Sequence, residues 1–206
     1  MKILLVTAGV SSNGATRRGV DEAKSVLEKH GIDFEIFELG HKVKATCSGC
    51  GGCSDGGDCI HDDNAKKLAM AVSDFDGYIF FSPVHYGGAT GALISAMSRL
   101  FYSKRSELAY KPAAAIAVSR RGGNFTAIEE ITRFFSFACM PTVTGNYPGI
   151  IHGSSYSDVE KDEEGLQTVR SITENLVWLL KCIHLAKENG IEHPTPEPKV
   201  KTSYIR

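Results

Sequence analysis

Residues 77–88 read Gly-Tyr-Ile-Phe-Phe-Ser-Pro-Val-His-Tyr-Gly-Gly, and they indicate the class of fold. The first six residues, Gly77 to Ser82, form a short and almost continuous apolar run. Such a run is typical of a strand that is buried on both faces of a parallel sheet. Pro83 and the pair Gly87-Gly88 follow and predict a turn or loop. A buried strand followed at once by a glycine-rich loop predicts an α/β protein.

The same alternation of strand and helix continues on both sides of this stretch. Apolar runs, and in the second case an alternation of polar and apolar residues, predict five strands: Lys2–Thr7, Asp33–Leu39, Gly77–Ser82, Pro112–Ser119 and Met140–Thr144. Apolar residues at helical spacing predict five helices: Thr16–His30, Asn64–Val72, Ala92–Tyr102, Thr126–Ala138 and Glu163–Glu188. Strands that alternate with helices predict a five-stranded parallel sheet with helices on both faces.

Length and composition are those of one ordinary globular domain. The chain has 206 residues, of which 42% are hydrophobic and 23% charged. We expect a single domain at 1–189 and a polar tail or arm at 190–206, which contains three prolines. A net charge of −1 gives no sign of a nucleic-acid or anionic-membrane partner. The chain lacks a long apolar run and a signal-peptide pattern, so we expect a cytoplasmic protein.

Ligands bind such sheets in the loops that follow the carboxyl ends of the strands. The loop after the first strand, Ala8–Thr16, places glycine and hydroxyl residues immediately before a helix. Backbone N–H groups and the helix dipole favour an anion at such a position, for example the phosphate of FMN. A plain helix-capping turn explains the same residues. The loop is neither a Walker A loop nor a Gly-x-Gly-x-x-Gly motif, which argues against an NTPase and a Rossmann NAD site.

The loops after the third and fourth strands have a composition that suits a flat ring. In Ser82–Gly91, Pro83 stiffens the chain, glycines allow close backbone approach and Tyr86 offers an aromatic face. Ser119–Asn124 combines two glycines with two arginines, whose charge suits a reduced flavin or a nicotinamide nucleotide phosphate. Ordinary glycine-rich turns are the alternative for both loops. All three loops fall where a parallel sheet binds its ligand, which favours one shared cofactor site.

On these loops the chain resembles the NADPH-dependent FMN reductase branch of the flavodoxin superfamily, and within it the iron–sulfur flavoproteins. The family's Gly-Ser-Pro-Arg-x-x-Ser-x-Thr loop is matched loosely by Ala8–Thr16, and its Ser-Pro-Val-Tyr-Tyr-Gly loop closely by Ser82–Gly87. Ser119–Gly123 matches its third, glycine-rich loop. The resemblance implies a flavodoxin-like three-layer sandwich with strand order 2-1-3-4-5 and a bound FMN. The FMN-binding residues implied are Gly9, Ser11, Ser12, Ala15, Thr16, Pro83, Val84, His85, Tyr86, Gly87, Ser119, Arg120, Gly122 and Gly123.

Four of the six cysteines share a glycine-rich excursion at residues 40–63: Cys47, Cys50, Cys53 and Cys59. In a reducing cytoplasm such a group indicates metal or redox use rather than disulfides. Thiolates suit an iron–sulfur cluster or zinc, and free or redox-active thiols are the third alternative. The resemblance to iron–sulfur flavoproteins favours a 4Fe–4S cluster. The other two cysteines, Cys139 and Cys182, are expected to be buried core thiols.

The loops and the resemblance together predict an FMN-dependent NAD(P)H oxidoreductase. It would pass electrons to a flavin, a quinone or another small-molecule or protein acceptor. FMN carries such chemistry itself, so no catalytic side chain is expected. The alternatives are a non-enzymatic electron carrier of the flavodoxin or iron–sulfur flavoprotein kind, which the near-neutral charge disfavours, and a redox-sensing module. We also expect a homodimer or homotetramer in which a neighbouring subunit covers the flavin.

Overall fold

The molecule is built on a parallel sheet with strand order β2-β1-β3-β5-β6. The structure is a computed structural model, and it describes residues 1–54, 57–195, 197–198, 200 and 202–204. The strands are β1 (Lys2–Thr7), β2 (Asp33–Glu38), β3 (Gly77–His85), β4 (Gly88–Ala89), β5 (Ala113–Ser119) and β6 (Ile150–His152). The two-residue β4 pairs antiparallel with the end of β3. The five other strands, counted without β4, have the order 2-1-3-4-5, as the family resemblance implies.

Helices cover both faces of this sheet. They are α1 (Ala15–Lys29), α2 (Asn64–Ala71), α3 (Gly91–Leu108), α4 (Asn124–Phe137), α5 (Tyr156–Val159) and α6 (Glu163–Glu188), and a 3₁₀ turn at Val72–Asp74 follows α2. Successive side chains of β1 point to opposite faces. Leu4 and Val6 share one core with residues of α2, α3 and α4. Ile3 and Leu5 share the other with residues of α1 and α6. The result is three layers with two buried cores.

The fifth parallel strand is Ile150–His152, and the prediction of a strand at Met140–Thr144 is wrong. That earlier segment makes a single bridge, between Thr142 and Ala113 of β5. Ala113 N donates to the carbonyl of Pro141 and Val143 N donates to the carbonyl of Ala113, and Pro141, which has no N–H to donate, ends the ladder there. The chain then leaves the edge and returns at Gly149, where a Cβ would lie 2.2 Å from the carbonyl oxygen of Ala115.

The two lone cysteines are exposed, so the prediction of buried core thiols is wrong. Cys139 lies just beyond α4 in the left-handed region, with φ of 56°. Cys182 lies on α6, whose core-facing side carries buried residues such as Val177 and Leu180. The apolar residues around both cysteines supply the core contacts, and the thiols face outward.

The C-terminal region begins where α6 ends, at Glu188. Ile191 N donates to the carbonyl of Ala186 at 2.9 Å, and the ring of His193 stacks on Tyr110 with centroids 4.4 Å apart. The first residues of the tail therefore pack against the domain. No helix among the described residues is long and apolar enough to cross a lipid bilayer.

Candidate functional site

The loop after β1 leads into a helix N-terminus that no side chain caps. Gly14 is the N-cap residue of α1, and its N–H donates to the carbonyl of Ser11 at 3.2 Å. The first-turn N–H groups of Ala15 and Thr16 therefore have no side-chain acceptor. Gly9 packs against Thr16, because a Cβ at Gly9 would lie 2.8 Å from the Thr16 Cβ. Free N–H groups at a helix start are the donors of an anion site.

The arginine beside this loop is already paired. Arg17 Nε lies 2.9 Å from Asp21 and its Nη1 lies 3.3 Å from Glu38. A recess of only about 10 Å³ remains among Thr7, Gly9, Val10, Ser11, Ser12, Arg17 and Glu38. Any anion held here would consequently lie at the mouth of the recess. Its donors would be backbone N–H groups and hydroxyls rather than an unpaired guanidinium.

The segment after β3 forms a tight hairpin, which agrees with the turn that its glycines predict, although β3 runs past Ser82, the predicted end of the strand. β3 continues to His85, and Tyr86 and Gly87 make a two-residue turn with φ of 50° and 85°. Two positive φ values match the right-handed twist of the flanking strands. Glu130 of α4 supports the hairpin, because its carboxylate accepts from Ala89 N at 2.7 Å. Tyr86 is fully exposed at the tip of the turn.

The loop after β5 touches this hairpin. Gly123 is the N-cap of α4 with φ of 92°, and a Cβ there would lie 2.7 Å from Gly87 Cα and 2.8 Å from Val84 Cγ1. The neighbouring Gly122 is exposed and has no atom within 4 Å of an added Cβ. No side chain caps α4 either. The two loops that were predicted to flank a flat ring are therefore in contact.

A buried asparagine that the sequence analysis did not single out shapes this second loop. Asn124 Nδ2 donates to the carbonyls of Ala117 at 2.8 Å and Ile151 at 3.2 Å. Its Oδ1 accepts from the hydroxyl of Ser119 at 2.6 Å. One side chain thus ties the end of β5 to β6 under the loop. Its place directly after Gly123 at a helix start is the one sequence signal that marks it.

The predicted FMN-binding residues all lie at the carboxyl edge of the sheet. The register places Thr7 of β1 beside Phe81 of β3. The loop after β1 therefore starts on the strand next to the one that carries the hairpin. The residues after β3 and β5 meet directly at Gly87 and Gly123. A larger cavity of about 610 Å³ lies at the opposite, amino end of the sheet near Tyr110 and contains none of these residues.

All four clustered cysteines line one pocket of about 240 Å³. Residues 55 and 56, which belong to the same excursion, lie outside the described residues. Within the described part of the chain, no three His, Cys, Asp or Glu side chains are grouped closely enough to hold a metal ion. The pocket thus brings the predicted thiols to one cavity but leaves them apart from one another.

A buried ion pair at the base of this pocket was not predicted. Arg99 Nη1 lies 2.6 Å from Asp63 Oδ2, and both side chains are at most 2% exposed. Burial alone would raise the pKa of Asp63. The Arg99 hydrogen bond and the N–H groups of Lys44 and Lys66 outweigh burial and lower that pKa to about 2. Both residues are therefore charged in the folded protein at neutral pH.

Two of the four sulfurs have hydrogen-bond donors. The N–H of Gly52 and the hydroxyl of Ser48 lower the pKa of Cys50, which favours its thiolate. Cys59 Sγ accepts from Arg99 Nε at 3.2 Å. Four thiols on one cavity, with donors aimed at two of them, form a donor set that fits a thiolate-bound group.

Comparisons with known proteins agree on a flavoprotein relationship. The sequence profile of the family described as NADPH-dependent FMN reductase matches residues 1–154. An iron–sulfur flavoprotein of Methanocaldococcus jannaschii is 29% identical over 193 residues, which cover 89% of this chain and 99% of that protein. A second from the same organism is 28% identical over 200 residues, covering 88% of this chain and 98% of that protein.

A solved structure of similar fold is RosB with the bound intermediate 8-demethyl-8-formylriboflavin-5'-phosphate. Its TM-score is 0.71 at 15% identity, and the match covers 100% of this chain and 94% of RosB. At that identity the likeness concerns the fold. It agrees with the observed strand order.

Proposed function

The chain belongs to the NADPH-dependent FMN reductase family, and from this premise we propose that it oxidises NAD(P)H and passes the electrons through FMN to an acceptor. Family and fold together make it an FMN-dependent oxidoreductase. The proposal adds the nicotinamide donor, an acceptor such as a flavin, a quinone or a protein, and a 4Fe–4S cluster in the cysteine pocket. The observation that carries it is that three predicted loops lie along one edge of the sheet, two of them in contact, beside two helix N-termini without side-chain caps.

The first loop would hold the phosphate of FMN. Gly9, Ser11 and Ser12 line the recess, while Ala15 and Thr16 offer first-turn N–H groups. The positive end of the α1 dipole adds to this preference for an anion. Because Arg17 is held by two carboxylates, the expected affinity depends on backbone donors.

The hairpin and the loop after β5 would hold the ring of FMN. The residues concerned are Pro83, Val84, His85, Tyr86, Gly87, Ser119, Arg120, Gly122 and Gly123. Bare backbone at the contact of Gly87 and Gly123 permits the close approach of a flat ring. FMN, when bound, supplies the electron-transfer chemistry. The chain orients the ring, supplies N–H donors to its polar edge and limits access of water from the sheet side.

The cysteine pocket would hold the cluster through Cys47, Cys50, Cys53 and Cys59. Support comes from the donor set of the pocket and from the printed names of the two relatives, which are iron–sulfur flavoproteins. Zinc or free redox-active thiols are the competing occupants. Assembly as a homodimer or homotetramer and a cytoplasmic location are part of the same proposal.

An absorption spectrum of protein purified without oxygen, with iron and acid-labile sulfide assays, tests the cofactors. We expect flavin bands, a broad shoulder that dithionite bleaches, and about four irons per chain. Flavin without iron would refute the cluster and leave a simple FMN-dependent enzyme. A protein that neither contains nor takes up FMN would refute the central proposal. Oxidation of NADPH or NADH by the purified protein alone separates the enzyme from a pure electron carrier, which would oxidise neither.

A pair of glycine substitutions tests the location of the ring. Gly122→Ala adds a methyl group to open, exposed backbone in the loop after β5, so folding should be unaffected. If the ring lies there, its affinity for FMN should fall at least about tenfold, or about 1.4 kcal/mol. Gly91→Ala, at the start of α3 and outside the residues proposed to hold the ring, adds the same methyl group to equally open backbone and is the matched control. Equal FMN affinity in both variants would place the ring elsewhere.

A further inference from the structure

One buried arginine joins the two ends of the cysteine excursion. Arg99 of α3 donates from Nη1 to the carbonyl of Ala45 at 3.2 Å, before the first cysteine. It donates from Nη2 to the carbonyl of His61 at 2.9 Å, after the last cysteine. Its Nε donates to Cys59 Sγ at 3.2 Å. A planar guanidinium with fixed donor directions can serve these partners at once, whereas a lysine ammonium presents a single point charge.

Asp63, the acidic partner of Arg99, also ties the two ends of the cysteine excursion together. It is the N-cap of α2 and accepts from the N–H groups of Ala65 and Lys66. The same carboxylate accepts from Lys44 N at 2.8 Å and from Arg99 at 2.6 Å. The ion pair therefore fixes both ends of the cysteine excursion to α2 and α3. Among the described residues of 40–63, the backbone around the cysteines forms no α-helix or strand, so these side-chain bonds help to determine its path.

We propose that Arg99 is a positioning residue of the cysteine pocket, which aims Cys59 into the cavity and raises the reduction potential of the cluster bound there. The inference rests on the proposed 4Fe–4S cluster. One-electron reduction adds a negative charge to such a cluster, and hydrogen bonds to its sulfurs stabilise the reduced form. The donor that Arg99 directs at Cys59 Sγ, carried by a buried positive charge, acts in this direction.

Arg99→Lys is the informative variant. It retains a positive charge opposite Asp63, so no buried carboxylate is left unpaired, but it cannot donate to Ala45, His61 and Cys59 together. A second variant, Arg99→Gln/Asp63→Asn, removes both charges at once and keeps the test valid if the lysine variant folds poorly. Arg170→Lys is the matched control, because Arg170 pairs with Glu22 on the opposite face of the sheet.

Two measurements on the full chain test the proposal. In cluster-free protein, hydrogen–deuterium exchange at the Lys44 amide should become at least tenfold faster in both Arg99 variants and stay unchanged in the control. In cluster-loaded protein, a redox titration followed by electron paramagnetic resonance should show a lower midpoint potential. We expect at least a tenfold change in the reduction equilibrium, which is about 59 mV for a one-electron couple.

The outcomes separate this inference from the proposed function. If wild type holds iron and both Arg99 variants keep its exchange rate and its potential, the inference is wrong and the proposed function stands. Faster exchange with an unchanged potential would overturn the proposed effect on the cluster. If wild type binds no iron, the proposed cluster and its tuning both fail, and the exchange data alone decide whether Arg99 anchors the pocket.

Discussion

Asp63→Asn tests the buried ion pair on which the shape of the cysteine pocket depends. Asparagine is a good N-cap residue, so the start of α2 is preserved. The substitution removes the carboxylate opposite Arg99, and breaking a buried pair from one side costs about 3–5 kcal/mol. The fall of the pKa of Asp63 from 3.8 to about 2 accounts for about 2.5 kcal/mol of this at neutral pH, since one pKa unit is about 1.4 kcal/mol.

The sign of the pH dependence follows from the lowered pKa. An acid whose pKa is lower in the folded state stabilises the protein above its unfolded pKa, and the stabilisation is lost as pH falls toward the folded value. For Asp63 this window runs from about pH 5 down to pH 2. By pH 3, the stabilisation that comes from ionisation of Asp63 should fall to about half of its value at pH 7. The difference between wild type and Asp63→Asn should therefore narrow over this range.

Urea unfolding of cluster-free protein, measured at several values between pH 7 and pH 3, provides the free energies. Asp62→Asn is the control, because Asp62 is exposed beside the buried Asp63 and its substitution should change stability by no more than about 0.5 kcal/mol at any pH. Other acids titrate in both proteins and cancel in the difference. A difference that stays constant from pH 7 to pH 3 would refute the assignment of a lowered pKa to Asp63.

Two further substitutions test the flavin loops. Asn124→Ala removes three buried hydrogen bonds beneath the loop after β5 and should lower the free energy of unfolding by about 2–3 kcal/mol. Asn189→Ala, which removes one exposed bond, should cost under about 0.5 kcal/mol in the same denaturation assay. Glu130→Ala removes the acceptor of Ala89 N, so a fluorescence titration should show FMN affinity reduced about tenfold. Glu129→Ala, at the exposed neighbouring position, should bind FMN as wild type does.

The main buried strands could be predicted because such strands are read directly from continuous apolar runs, whereas the order of the strands came from the resemblance to the flavodoxin-like family. Residues 3–6 and 77–82 are such runs, and they become β1 and β3. The last strand could not be found in this way. Ile150–His152 has only three residues, and its position depends on how closely Gly149 approaches β5. That approach is a tertiary contact, which no local pattern in a three-residue segment shows.

The positions of the candidate site residues were predictable from the loops, but their supports were not. A glycine-rich segment after a strand predicts close backbone approach, and the contact of Gly87 with Gly123 agrees with this. The supports are side chains whose partners lie far along the chain. Glu130 accepts from a residue 41 positions earlier, and Arg99 contacts Ala45 over a separation of 54 positions. A single sequence does not encode such pairings as a local pattern.

In the part of the chain that the structure describes, the two candidate sites share a helix but no hydrogen bond. α3 begins directly after the hairpin at Gly91, and Thr90 N donates to Ser82 Oγ at 3.0 Å. Arg99 lies eight residues further on, about 12 Å along the helix axis, and its bonds go to residues of the cysteine excursion and Asp63. The hairpin depends instead on Ser82 and Glu130. Substitution of Arg99 should therefore change the proposed cluster site while FMN stays bound, so iron and flavin content are independent measures of the two proposed sites.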